Sequence, residues 1–159
     1  MVNSSAQSQD DPVLLAHGKT DALLREVTEQ IDLDTFDADD SEILKRLVES
    51  LGDSRGMTRL RCAETLAEIG EAATPFLLDG LANHVNPVVR RGAAKTLTLI
   101  ADPSAVPHLI HALLNDQDTV VKGSSIGALA RIGEPSVRSL LDILGSTDLP
   151  ESTIGHAAW

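Results

Sequence analysis

The stretch VRRGAAKTLTLIADPSAVPHLIHALLNDQDT, residues 89–119, decides the fold because its pattern occurs three times in the chain. The preceding copy is TRLRCAETLAEIGEAATPFLLDGLANHVNP at 58–87, and the following copy is VKGSSIGALARIGEPSVRSLLDILGSTDL at 121–149. The positions that match at an offset of 31 or 32 residues are Ala63 with Ala94, Leu66 with Leu97 and Leu129, Ile69 with Ile100 and Ile132, and Pro75 with Pro107. A fixed period of this length indicates stacked supersecondary units.

Each unit is predicted to form two antiparallel helices, A and B. Small and apolar residues such as Ala93, Leu97 and Ile100 recur at helical spacing in the first half of a unit. Glycine suits the end of helix A because it accepts a positive φ, and Pro75 and Pro107 suit the first turn of helix B. The sequence therefore predicts an all-α, right-handed solenoid of antiparallel helix pairs. Its helices are expected near 12–31, 41–51, 57–69, 75–83, 89–101, 106–115, 121–132 and 135–145.

The chain divides into three parts by composition. Residues 1–11 are polar and are expected to be a disordered tail, and residues 12–51 hold N-terminal helices and the acidic linker DLDTFDADDSE at 32–42. Asp39 and Glu42 are spaced as a capping box. Residues 52–159 are the repeats. Their last unit, ESTIGHAAW, opens a helix A and stops early, which predicts that Trp159 is not the natural end of the fold.

The composition limits the classes of partner. The 159 residues carry 24 acids and 13 bases, a net charge of −11, which disfavours nucleic acid and anionic membranes. No run of about 20 apolar residues occurs, and the first residues lack the apolar segment of a secretory signal. The single Cys62 excludes an intrachain disulfide and is compatible with a reducing compartment. We expect a cytoplasmic protein with no metal.

The repeats resemble a known family. The units share an order of residues that is typical of HEAT-like, or armadillo-like, repeats. A valine and a basic residue come first, followed by a pair of small residues, L-x-x-I, a turn such as G-[DE]-P, and V-P-x-L-[IL]-x-x-L. The chain resembles a cyanobacterial group of such proteins in three features: the period near 31 residues, the run AAKTLTLIADPSAVPHLIHALLNDQDTVVKG and the final GHAAW. That group contains the E/F-type phycobilin lyases and related phycobilisome-degradation proteins. The resemblance covers residues 52–159 and implies a phycobiliprotein subunit, or a related photosynthetic assembly, as partner.

Polar positions of the B helices are the candidate partner-binding site. Asp79, His111 and Asp142 are equivalent, as are Asn83 and Asn115. In HEAT-like solenoids the B helices line the concave surface, and such surfaces bind other proteins. We call these five residues the polar ladder. The alternative is an ordinary solvated face.

Three further features have a structural and a functional interpretation. His108 and His111 form an H-x-x-H pair that could bind a metal with Asp79 or His84, but their neighbours favour a plain polar face. Cys62 aligns with Ala93, so a small buried residue is favoured over a reactive thiol near basic side chains.

The recurring cations Arg59, Arg90 and Lys122 are predicted to bond turn carboxylates or carbonyls and so to join units. A basic ligand-binding ladder is the alternative.

No nucleotide-binding, hydrolase, zinc-protease or C-x-x-C motif occurs, so no catalytic residue is predicted. The favoured function is a protein-binding module, an adaptor, chaperone-like or degradation factor that needs no cofactor. The alternative is a subunit of an E/F-type bilin lyase, which would attach a phycobilin to a phycobiliprotein cysteine.

Overall fold

The computed structural model describes residues 11–145, and all regular structure in that part of the chain is helical. The helices are α1 (Pro12–Asp32), α2 (Ser41–Glu49), α3 (Gly56–Ile69), α4 (Thr74–Asn83), α5 (Pro87–Ile100), α6 (Val106–Asn115), α7 (Thr119–Ile132) and α8 (Glu134–Leu144). Short 3₁₀ turns lie at Ser50–Gly52, Gly70–Ala73 and Pro103–Ala105. The prediction of an all-α solenoid of helix pairs is confirmed, and each predicted helix is present within a few residues of its expected bounds.

The differences occur at helix ends. The helix predicted at 41–51 ends at Glu49, and a 3₁₀ turn continues it. The prediction that Asp39 caps this helix is wrong: the carboxylate of Asp40 accepts the hydrogen bond from the Ile43 amide at 3.2 Å. The helix starts at Ser41, so the residue directly before it is the one whose side chain reaches the free amides of the first turn.

The turns inside the units follow the predicted chemistry, with one exception. Gly70 and Gly133 have φ of 83° and 84° after α3 and α7. In the middle unit Ala101 takes the corresponding position with φ of 55°, a conformation that an L-residue with a β-carbon adopts at an energetic cost. Pro75 and Pro107 stand in the first turns of α4 and α6 as predicted.

Neighbouring units stack through their A helices, α3, α5 and α7, and through the contact of each B helix, α4 or α6, with the A helix of the next unit. Beside buried leucines, the A helices bury a set of small side chains that lets them approach one another closely, among them Cys62, Ala93, Ala94, Ser125 and Ala128. The B helices α2, α4, α6 and α8 bury leucines such as Leu77 and Leu109 but contact one another less. This unequal packing leaves open space on the B-helix face.

One apolar core runs through the described part of the chain, from Leu23 in α1 to Leu129 in α7. The matched leucines Leu66, Leu97 and Leu129 are all buried in it. α1 packs on α3, and α2 packs on α4, so the two N-terminal helices extend the stack although their sequences lack the repeat pattern. Asp11 caps α1 by accepting from the Val13 amide. The remaining predicted tail and the incomplete unit at 151–159 lie outside the described residues.

Candidate functional site

The polar ladder is exposed on the B helices. Asp79 and Asn83 lie on α4, His111 and Asn115 on α6, and Asp142 on α8. All five side chains are exposed to solvent, as the sequence pattern required.

Equivalent ladder residues make equivalent contacts. The Asn83 side-chain amide donates to the Asp79 carboxylate at 2.8 Å, one helical turn away. The Asn115 amide donates to the His111 carbonyl at 2.9 Å and lies 3.2 Å from the imidazole Nδ1. Each asparagine therefore contacts the side chain four residues before it on the same helix, and Asn115 also bonds the backbone carbonyl there. The repeat produces two ordered polar pairs, side by side.

A groove of about 530 Å³ separates α4 from α6 on this face. The small side chains of Ala82 and Ala112 help to leave the space, and Leu81 and Pro107 give it an apolar lining. Its polar lining includes His84, Arg90, His108, His111 and Asn115. Of the polar ladder, the structure brings His111 and Asn115 into the groove, while Asp79, Asn83 and Asp142 lie outside its lining.

An ion pair forms one wall of the groove. Arg90 donates from Nε to the Asp116 carboxylate at 2.9 Å, and its Nη1 donates to the carbonyls of His84 and Val85 at 3.0 and 3.1 Å. Both charged side chains are largely buried, with 18% of Arg90 and 8% of Asp116 exposed. The cation is thereby held against two successive inter-unit turns, and its role is to fix the wall rather than to present a free charge.

His84 is a groove residue that sequence reasoning considered only as a metal ligand. Its Nε2 lies 2.8 Å from a carboxylate oxygen of Glu49, in α2, and its Nδ1 accepts from the Asn86 backbone amide at 3.0 Å. The accepting Nδ1 means that Nε2 carries the proton donated to Glu49. The signal available in the sequence was the alignment of His84 with Asp116, which places both in equivalent turns.

The predicted structural roles of the cations hold for two of the three. Arg59 donates to the Asp53 carbonyl at 2.7 Å, and Arg90 bonds a turn carboxylate and two carbonyls. For Lys122 the role stays a prediction. Sequence reasoning missed Arg91, which forms a two-point ion pair with Asp118 at 2.6 and 3.0 Å. This pairing, with backbone amides of α7, holds the pKa of the Asp118 carboxyl well below its usual range.

Cys62 has the structural role that its alignment predicted. Its side chain is fully buried between helices, and burial raises the pKa of the thiol to about 11. A buried, protonated thiol is a poor nucleophile, which supports the structural role of Cys62 over that of a reactive thiol.

The histidine pair gains no further ligand. His108 and His111 both line the groove, but within residues 11–145 no three His, Cys, Asp or Glu side chains gather into a metal-binding group. In the same part of the chain, no helix is long and apolar enough to cross a membrane.

Stacked pairs of antiparallel helices define an α-solenoid repeat protein. Comparison with known sequences identifies which family of repeats these helix pairs form. The family model described as HEAT repeats matches residues 74–154, half of the chain, and the chain belongs to this family. It is also 55% identical over 116 residues to the bilin biosynthesis protein MpeU of Synechococcus sp. (strain WH8020). The match covers 73% of this chain and 39% of the relative, so the chain spans well under half of the relative's length.

Proposed function

We propose that this chain is the helical-repeat module of a bilin-handling protein, which holds a phycobilin for attachment to a phycobiliprotein. The observation that carries the proposal is its 55% identity over 116 residues to a protein named for bilin biosynthesis. Our two sequence-based hypotheses thus change order: the lyase-type alternative has better support than the adaptor or degradation factor. We expect the work to take place in the cytoplasm.

The groove between α4 and α6 is the proposed bilin site. Its volume of about 530 Å³ falls in the range of ~300–1,000 Å³ that small-molecule sites occupy. Leu81, Pro107 and Ala112 offer apolar contact, and His108 and His111 offer ring nitrogens to the carboxylates and pyrrole nitrogens of a linear tetrapyrrole. The bilin is substrate here, and the reacting thiol belongs to the phycobiliprotein, since Cys62 is buried.

Bilin binding tests the proposal directly. Purified protein mixed with phycocyanobilin is expected to produce a red-shifted, stronger bilin absorbance. His111→Ala should weaken this change, because His111 lines the groove. His17→Ala is the matched control, since His17 lies on α1 beside Ser54. If the parent protein leaves the phycocyanobilin spectrum unchanged, or if His111→Ala and His17→Ala weaken the spectral change equally, the groove is not the bilin site.

A protein-binding role through the polar ladder is the second candidate, favoured by its exposed and ordered pairs. The two roles are compatible, because a protein that delivers a bilin must also contact the acceptor. The proposed protein partner is a phycobiliprotein subunit, and no nucleic acid is expected.

A further inference from the structure

Positive charge is concentrated on the A helices of the solenoid. The A helices α3, α5 and α7 carry seven basic and two acidic residues in a chain of net charge −11. Of the B helices, α4 and α6 carry no Lys or Arg, whereas α2 carries two such residues and α8 carries one. The basic residues are Arg59, Arg61, Arg90, Arg91, Lys95, Lys122 and Arg131. Apart from Arg90, which lines the groove between α4 and α6, these cations give the A-helix face positive charge in an acidic protein.

A second groove, of about 480 Å³, crosses this face between α3 and α5 and reaches the first turn of α7. Three aliphatic side chains that line it are strongly exposed: Leu60 at 47%, Leu99 at 54% and Val120 at 41%. Arg59, Arg91 and Lys95 border them. We call this feature the basic groove.

Two of the bordering cations have no carboxylate partner within the described residues. Arg91 is neutralised by Asp118, but none of the ion pairs formed among residues 11–145 uses Arg59 or Lys95. Among residues 11–145, the side chain of Arg59 bonds only the Asp53 carbonyl, and Lys95 is exposed. The groove thus combines exposed aliphatic surface with unpaired positive charge, and its complement is a segment that combines carboxylates with an aliphatic side chain.

The chain itself contains such a segment. Residues 32–40, DLDTFDADD, hold five carboxylates and no cation, and they connect α1 to α2 as an exposed loop. Leu33 is 65% exposed in it, and none of the ion pairs within residues 11–145 uses its carboxylates. Backbone and Asx-type hydrogen bonds from Asp40 and Asp39 to Asp37 hold the loop in one turn. We call it the acidic loop.

We propose that two copies of this chain associate, with the acidic loop of one copy seated in the basic groove of the other. Leu33 would cover the aliphatic lining, and the loop carboxylates would face Arg59 and Lys95. If each copy gives its loop to the other, the contact closes as a two-fold dimer. A nucleic acid fits the groove less well, because the lining offers aliphatic rather than stacking aromatic contact.

Charge reversal on each side tests the contact by sedimentation. Lys95→Glu and Asp39→Lys should each weaken self-association about three- to tenfold, because each replaces an attraction by a repulsion between exposed charges. The two variants mixed together should associate again, since each supplies the partner that the other lacks. Leu33→Ser should weaken association with the charge intact.

The controls carry the same charge changes elsewhere. Arg131→Glu on α7 and Glu26→Lys on α1 are exposed and lie outside the basic groove and the acidic loop, so both should associate like the parent chain. A parent chain that sediments as a monomer at concentrations up to about 1 mM would overturn the proposal, and the groove would then be a candidate site for a different protein. Association that Lys95→Glu and Asp39→Lys leave unchanged would overturn it as well. Bilin binding by these variants should be normal, which separates this proposal from the function proposed for the B-helix face.

Discussion

Arg90 in α5 and Asp116 in the turn after α6 are joined by two hydrogen bonds, of 2.9 and 3.3 Å, across 26 residues of sequence. The pair ties the start of the middle unit to the turn that leads from this unit into the next. Because Asp116 is 8% exposed, its carboxylate depends on the guanidinium for most of its solvation.

Replacing Arg90 with Ala should therefore destabilise the protein. Removing one partner leaves a largely buried carboxylate whose remaining donor is the Asp118 amide. We expect a loss of ~1.5–3 kcal/mol in the free energy of unfolding, the usual value for a lost hydrogen bond to a charged group. Urea denaturation measures it. Arg131→Ala, exposed on α7, is the control, and an equal loss there would contradict the role given to the pair.

Acid should weaken the fold through Asp118. Ion pairing with Arg91 and backbone amides lowers the folded-state pKa of Asp118, so its stabilising contribution is complete above the unfolded pKa of ~4 and is lost as the pH falls through the lowered pKa. Asp118→Asn keeps an N-cap side chain but removes the titration. Its melting temperature should fall less steeply than that of the parent chain below about pH 4. The same steepness in both proteins would exclude Asp118 as a source of the acid sensitivity.

Leu97 tests the repeat register. It is fully buried, so Leu97→Ala should lower the free energy of unfolding by roughly 2–5 kcal/mol. Leu99, two residues along the same helix, is 54% exposed, and Leu99→Ala should change stability by less than about 0.5 kcal/mol. Similar losses at the two positions would mean that α5 buries a different face.

The polar ladder predicts the partner's charge. An acidic face favours a partner that presents Lys or Arg, and raising the salt from about 50 to about 500 mM, which shortens the Debye length from ~14 to ~4 Å, should slow association several-fold. Replacing Asp79 and Asp142 together with Lys should abolish binding of a phycobiliprotein subunit with little change in melting temperature, since both are exposed. Surface plasmon resonance measures both effects. Normal binding by the double variant would mean that the partner binds another surface. Deletion of residues 32–42, the acidic segment, then tests whether that segment is the binding surface.

The helices could be predicted because the information is local. Small residues, leucines, glycines and prolines recur at the same places in each unit, and each copy confirms the others. The contribution of α1 and α2 to the stack could not be found this way, because their packing on α3 and α4 depends on apolar positions outside the repeat pattern. Ala101 shows the limit at a turn, where neighbouring structure holds an alanine at φ of 55°.

The site was less predictable than the fold. Exposure of the polar ladder followed from helical periodicity, but the groove depends on how far α4 stands from α6, which no pattern within one helix determines. His84 and Glu49 are 35 residues apart, and nothing local pairs them. The basic groove was likewise hidden, because its cations lie on two helices of an acidic chain, Arg59 on α3 and Arg91 and Lys95 on α5, and converge only when the helices stack.

The groove between α4 and α6 is built from two units, since Leu81 belongs to one and Pro107 to the next. In a solenoid each unit is stabilised by its neighbours, so the free energy of the fold resides largely in such junctions. A molecule bound there contacts both sides of one junction and is released when the junction opens. Ligand affinity and resistance to local unfolding are therefore thermodynamically linked, and amide hydrogens of α4 and α6 should exchange more slowly in the bound protein while those of α1 keep their rates.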